Sequence, residues 1–190
     1  MRELTDRLTG GKPMLKLWII LMALVVLVGC GNADSGDAIE GEVTFCRRVG
    51  SSTGKRIEVG TEFQVREGKK NQYVHGLVDL RNLPEGVDHQ IHLVWIKPNS
   101  EEMFRRFGTI RMDAHDGGYR SQATWLDAED LHKKTIDEAV LSDSAGVTVS
   151  SRLNVSPERE RDPGTYHLRV FWNRALLIEQ AFELIESDEG

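Results

Sequence analysis

The residues of this chain that could do chemistry are few and scattered. Imidazole nitrogen ligates transition metals and moves protons near neutral pH, so the six histidines come first. His89 and His92 stand three apart, and in a strand that spacing sends the two rings to opposite faces. They converge only if the chain turns between them. His115 lies in the polar run His115-Asp116-Gly117-Gly118, which reads as a loop. His89, His92 and His115 are therefore the candidate ligands for a metal or a small molecule, with Met103 and Met112 as soft sulfur donors. His75 and His167 alternate with apolar neighbours and are expected on the outer side of a sheet. No Cys/His spacing of a zinc site occurs, so the expectation is no metal and no cofactor.

Catalytic nucleophiles are no better marked. There is no Gly-x-Ser-x-Gly elbow and no phosphate-cradling glycine loop. Adjacent carboxylates such as Glu101-Glu102 and Glu129-Asp130 are of the kind that solvated surfaces carry. The expectation is a protein without enzymatic activity. Arg105, Arg106, Arg111 and Arg120 flank one turn and are the candidates for a small basic face toward an acidic partner. Cys46 follows Val43-Thr44-Phe45, a strand-like run, so its expected role is a buried small hydrophobe. Arg47 and Arg48 would lower its thiol pKa only if it were exposed.

The other cysteine has a sharper context. Residues 17–28 are an uninterrupted apolar run of twelve, too short to span a bilayer, which takes about 20. Lys12 and Lys16 precede it, and Leu27-Val28-Gly29-Cys30 closes it. This order of charge, apolar run and aliphatic-x-small-Cys box resembles the signal peptide and lipobox of bacterial lipoproteins. The resemblance covers the leader alone. It implies cleavage before Cys30, a diacylglycerol thioether and a further acyl chain such as palmitate on that residue, and anchoring in a membrane of the cell envelope. Gly31 after the acylated cysteine implies the outer membrane if the organism is Gram-negative. Glu3 and Asp6 are unusual ahead of such a leader, so Met14 is an alternative start.

On this reading residues 1–29 are a signal peptide and residues 30–41, small and polar, a flexible tether. Residues 42–186 form one domain, and 187–190 a disordered tail. The whole chain carries a net charge of −6, and the leader holds Arg2, Arg7, Lys12 and Lys16 against Glu3 and Asp6. The remainder is thus more acidic still, which argues against nucleic acid as a partner.

The elements that must position these side chains read as strands. Runs rich in β-branched and aromatic residues fall at 42–48, 60–66, 72–80, 90–97, 105–112, 118–126, 147–155, 165–172 and 176–185, separated by turn residues. In 72–80 Val74, Val78 and Leu80 share one face, with Tyr73, His75 and Asp79 opposite. Ile91, Leu93 and Trp95 back onto Val94 and Ile96, a pattern that suits a central strand covered on both sides. Asn173-Arg174-Ala175 joins the last two strands as a hairpin. Asp127-Ala128-Glu129-Asp130 resembles a helix N-cap, and Leu131, Thr135 and Ala139 follow at helical spacing, so a helix is expected over 128–141.

Many short strands with frequent turns indicate an all-β sandwich or barrel. Pro163-Gly164-Thr165-Tyr166 with Ala181-Phe182-Glu183-Leu184 resembles the final strands of immunoglobulin-like bacterial envelope domains. The expected fold is an immunoglobulin-like antiparallel β-sandwich with one short helix. The expected function is to bind or scaffold another envelope protein, with lipid on Cys30 holding the membrane; the alternative is metal or small-ligand binding through His89, His92 or His115.

Overall fold

The structure, a computed structural model, describes residues 38–51, 53–126 and 134–186, the side chains of 134–141 excepted. Cys30, the signal peptide, the tether up to residue 37, the capping run 127–130 and the tail 187–190 lie outside the described residues. Eleven strands follow in order: β1 (Glu40–Val49), β2 (Arg56–Val59), β3 (Glu62–Gln64), β4 (Tyr73–Arg81), β5 (Asp88–Ile96), β6 (Glu102–His115), β7 (Gly118–Leu126), β8 (Lys134–Ser142), β9 (Gly146–Asn154), β10 (Gly164–Trp172) and β11 (Ala175–Ile185). They form a four-stranded sheet, β2-β1-β4-β9, and a seven-stranded sheet, β3-β11-β10-β5-β6-β7-β8. Among the described residues no helix is long and apolar enough to cross a membrane.

The two-faced apolar strand takes the place its composition demands. β5 is the middle strand of the larger sheet. Ile91, Leu93 and Trp95 enter the core between the sheets, while Val94 and Ile96 are buried on the outer surface. β4 shows the cleaner alternation of a one-sided strand: Val74, Val78 and Leu80 face the core, and Tyr73, His75 and Asp79 do not. Trp95 contacts Phe45 at 6.1 Å and Phe182 at 6.0 Å between ring centroids, and Tyr166 stacks on Phe182 at 5.5 Å. Such pairs add about 1 kcal/mol each beyond the area they bury. The Trp95 indole N–H donates to Ser151 Oγ at 2.8 Å, so a buried polar bond ties the middle strand of the larger sheet to β9 of the smaller.

Turns follow from residue type. The hairpin β10–β11 closes through Asn173 and Arg174, both at positive φ (46° and 74°), the conformation a two-residue hairpin of matching twist requires. Tyr166 donates its hydroxyl to the Asp162 carbonyl at 2.8 Å, pinning the loop ahead of β10 to the core, as a tyrosine corner does in β-sandwiches. Gly108 sits where a Cβ would strike the Thr124 carbonyl and the Trp125 ring of β7, so only glycine permits that approach.

Three expectations need correction. The helix over 128–141 is absent from its described part, where β8 pairs antiparallel with β7. Thr135, Ile136 and Val140 are β-branched, and the run alternates as well as it repeats at four, so pairing to a ready neighbour decides for strand. The strand expected at 60–66 is the shorter β3, and β2, just before it, was not expected. Gly60 N–H donates to Phe45 O in the smaller sheet, and Glu183 N–H then donates to Thr61 O in the larger, so the chain changes sheets between β2 and β3. β3 also runs parallel to β11, an exception in an otherwise antiparallel sandwich. Finally, β1 opens at Glu40, and Asn82 Nδ2 donates to Ala38 O, so ordered pairing starts inside the stretch read as tether.

Candidate functional site

The described histidines do not come together in one site. His89 stacks on Trp172 at 4.8 Å with Nδ1 at 3.1 Å from Asn173 Nδ2. His92 points to the opposite face of β5, edge-on to Phe107 at 4.5 Å, with Nδ1 at 3.2 Å from Arg105 Nη1. His115 is exposed at the tip of the β6–β7 hairpin. The strand spacing of His89 and His92 thus keeps them apart, and no turn intervenes. Burial lowers the pKa of both, and for His92 the Arg105 and Arg174 cations lower it further. Among the described residues no group of three or more His, Cys, Asp or Glu side chains is placed to hold a metal ion.

Cys46 is fully buried on the outer side of β1 with no disulfide. Its Sγ lies 3.4 Å from the Arg48 carbonyl. Burial raises the thiol pKa, and this outweighs the lowering by the Arg56 cation. The strand reading of 43–46 as a buried position therefore holds, and the thiol is not activated.

The arginines expected to make a basic face separate as well. Arg111 is held by Asp113 and Asp88. Arg105 is held by Glu102 at 2.7 Å on the outer surface of the larger sheet. Arg106, one residue on, points to the other side, lies 3.9 Å over the Trp125 ring and donates to the Ser150 carbonyl.

A basic face does exist, built from other residues. Arg47, Arg48, Arg66, Lys69 and Lys70 surround a pocket of about 290 Å³ that contains one carboxylate, Glu58. Glu58 bridges Arg48 at 3.4 Å and Arg66 at 2.9 Å. Arg47 lies 5.1 Å over Phe63, and its Nη1 is buried without a partner. Burial first, and the Arg66 charge second, pull the Arg47 guanidinium below its ordinary range. Tyr73 closes this pocket, and Arg152 of β9 lies 4.7 Å over its ring. Beyond Arg152 a groove of about 920 Å³ continues along β9, with Arg56, His75, Arg105, Arg106 and Ser150 in its wall. Leu77, Phe104 and Leu126 give it an apolar part. Burial and Arg152 together lower the His75 pKa.

This face is rigid. Arg56 of β2 donates to Asp79 of β4 at 2.7 and 2.5 Å and to Thr44 Oγ1 of β1 at 2.7 Å. Thr148 Oγ1 of β9 donates to Asp79 Oδ1 at 2.6 Å. The network crosses all four strands of the smaller sheet. It neutralises Arg56, whereas Lys69, Lys70 and Arg152 have no carboxylate partner among the described residues. Sequence reading missed the face because its cations come from β1, β2, β9 and the loop before β4. The one signal within that loop was Arg66 with Lys69-Lys70 in a five-residue span.

No protein-family model matches the chain, and no curated protein matches its sequence. Among solved structures it is similar to an immunoglobulin-like protein from Pseudomonas aeruginosa, at 14% identity and a TM-score of 0.42, over 80% of this chain and 99% of that one. It is also similar to part of the Pseudomonas fluorescens alkylpurine DNA glycosylase AlkC bound to DNA containing an abasic site analog. That match has 13% identity and a TM-score of 0.34, over 75% of this chain and 30% of that one.

Proposed function

We propose that this chain is a lipid-anchored protein of the cell envelope, held by acylation of Cys30, whose β-sandwich binds an envelope protein through the basic face of its smaller sheet. The leader motif ending in Cys30 supports the anchor. The observation that carries the binding role is the unneutralised run of Lys69, Lys70 and Arg152 beside Arg47, Arg48 and Arg66, on a chain whose net charge is −6. Keeping like charges together costs the free protein some stability, and such a patch steers an acidic partner to its docking surface. The role in this reading is recognition.

The test is capture of crosslinked partners from membranes by the full chain. A variant combining Arg48→Glu, Lys69→Glu, Lys70→Glu and Arg152→Glu is expected to stay folded and lose its partners. Unchanged capture would remove the basic face from the function. For the anchor, Cys30→Ala is expected to abolish incorporation of labelled palmitate and move the protein out of the membrane fraction; a labelled, membrane-bound variant would refute acylation at that residue.

A further inference from the structure

We infer that the acidic partner docks as an extended segment that adds to the smaller sheet beside β9. The inference rests on the basic-face reading and specifies the geometry of its contact. Among the described residues β9 has β4 on one side and no strand on the other. In an extended strand a residue's N–H and C=O point to the same side, and successive residues alternate. The Ser150 carbonyl accepts from Arg106 and the Asn154 carbonyl from Arg161 Nε at 3.1 Å, while Val155 N–H donates to Gln72 O on the β4 side. The N–H and C=O groups of Thr148, Ser150 and Arg152 therefore line the free edge, and those of Val149, Ser151 and Leu153 pair with β4.

An open edge of this length invites another strand unless something blocks it. Here the groove along it is open, and the carbonyls are satisfied by arginine side chains in place of a neighbouring backbone. An incoming strand can supply backbone N–H groups to those carbonyls in place of the side-chain donors. Charge and alternation then define the occupant. Side chains of the added strand on the outer surface meet Arg152, and those on the inner side meet Phe104 and Leu126. A segment alternating acidic and apolar residues fits both rows. Main-chain bonds give such docking its affinity and the alternating pockets its selectivity.

The experiment uses the full chain in detergent with synthetic peptides. One alternates Glu and Val, a second has the same sequence with alternate backbone nitrogens methylated, and a third alternates Lys and Val. The Glu–Val peptide is expected to bind and to slow amide exchange at Ser150 and Arg152, and the other two to fail. Ser150→Pro removes an N–H that the fold does not use, so the variant is expected to unfold at the same temperature and to lose the peptide. Equal binding of the methylated peptide, or slowed amides away from β9, overturns strand addition and leaves the basic face standing. Equal binding of the Lys–Val peptide overturns the choice of an acidic occupant. Edge protection that grows with protein concentration in the absence of peptide assigns the edge to a second copy and overturns the proposal, as does absence of binding by every peptide.

Discussion

The two outer surfaces of the sandwich both carry arginine, and they use it in opposite ways. On the larger sheet the charges close on one another. Arg105 pairs with Glu102, and Arg169 and His167 share Glu179 at 3.0 Å each, with the side chains between a third and a half exposed. Val94 and Ile96 are buried beneath this ladder, which fits arginine stems lying over apolar surface with their heads in water. On the smaller sheet Asp79 matches Arg56 and one carboxylate, Glu58, serves both Arg48 and Arg66, while Lys69, Lys70 and Arg152 have no carboxylate partner among the described residues. One surface is finished, and the other is built with its charge unspent. The docking role proposed for this molecule rests on that difference.

Four measurements would break or sharpen that contrast. The largest effect belongs to the joint beneath both surfaces. Trp95→Ala removes the ring that packs on Phe45 and Phe182 and the donor to Ser151, and is expected to cost about 4 kcal/mol in urea unfolding. A loss below about 1 kcal/mol would mean that the two sheets do not share one core. Next comes the clamp on the smaller sheet. Asp79→Ala strands a partly buried Arg56 and leaves the Thr148 hydroxyl without its acceptor, for an expected loss of about 2 kcal/mol.

The matching change on the larger sheet is Glu179→Ala, which touches a solvent-screened pair and is expected to cost less than about 1 kcal/mol. Equal losses at Asp79 and Glu179 would erase the distinction between the surfaces. The smallest effect concerns acid. His75 on one surface and His92 on the other both titrate below the ordinary 6.5 in the folded state. As the pH falls below 6.5 the unfolded chain takes up protons that the folded one refuses, so stability is fully present above 6.5 and is lost on acidification. His75→Gln and His92→Gln should each flatten the slope of melting temperature against pH between neutrality and pH 5. A slope that neither variant changes would place the acid sensitivity elsewhere.

What could be read in advance was whatever depends on neighbours in sequence. Two-sided apolarity gave β5 its central position, and alternation put Tyr73, His75 and Asp79 outside. Asn173 with its neighbours announced the hairpin. The same local logic failed at 134–142, where repeats at two and at four coexist in one run and only the partner strand β7 selects between them. It failed also at Gly60, because a change of sheet leaves an apolar pattern almost unbroken. The basic face was out of reach for a further reason. Arg48 and Arg66 meet through Glu58, and Arg152 meets Tyr73 only because β9 lies beside β4 in a particular register. Adjacent arginines at 105 and 106 looked the stronger signal, yet strand alternation sends them to opposite sides.

The position of β1 has a mechanical consequence. It begins at Glu40, the end nearest the leader, and it is an inner strand of the smaller sheet, two places from β9. Tension between a membrane at one end and cargo gripped along β9 would run through β1, β4 and β9 in turn. Ladder bonds lie across the strands, so a pull along β1 loads the whole row from Glu40↔Arg81 to Cys46↔His75 together, in shear. A row loaded in shear yields at far higher force than one peeled a bond at a time, so the proposed anchor and docking edge would be joined by the stronger of the two arrangements.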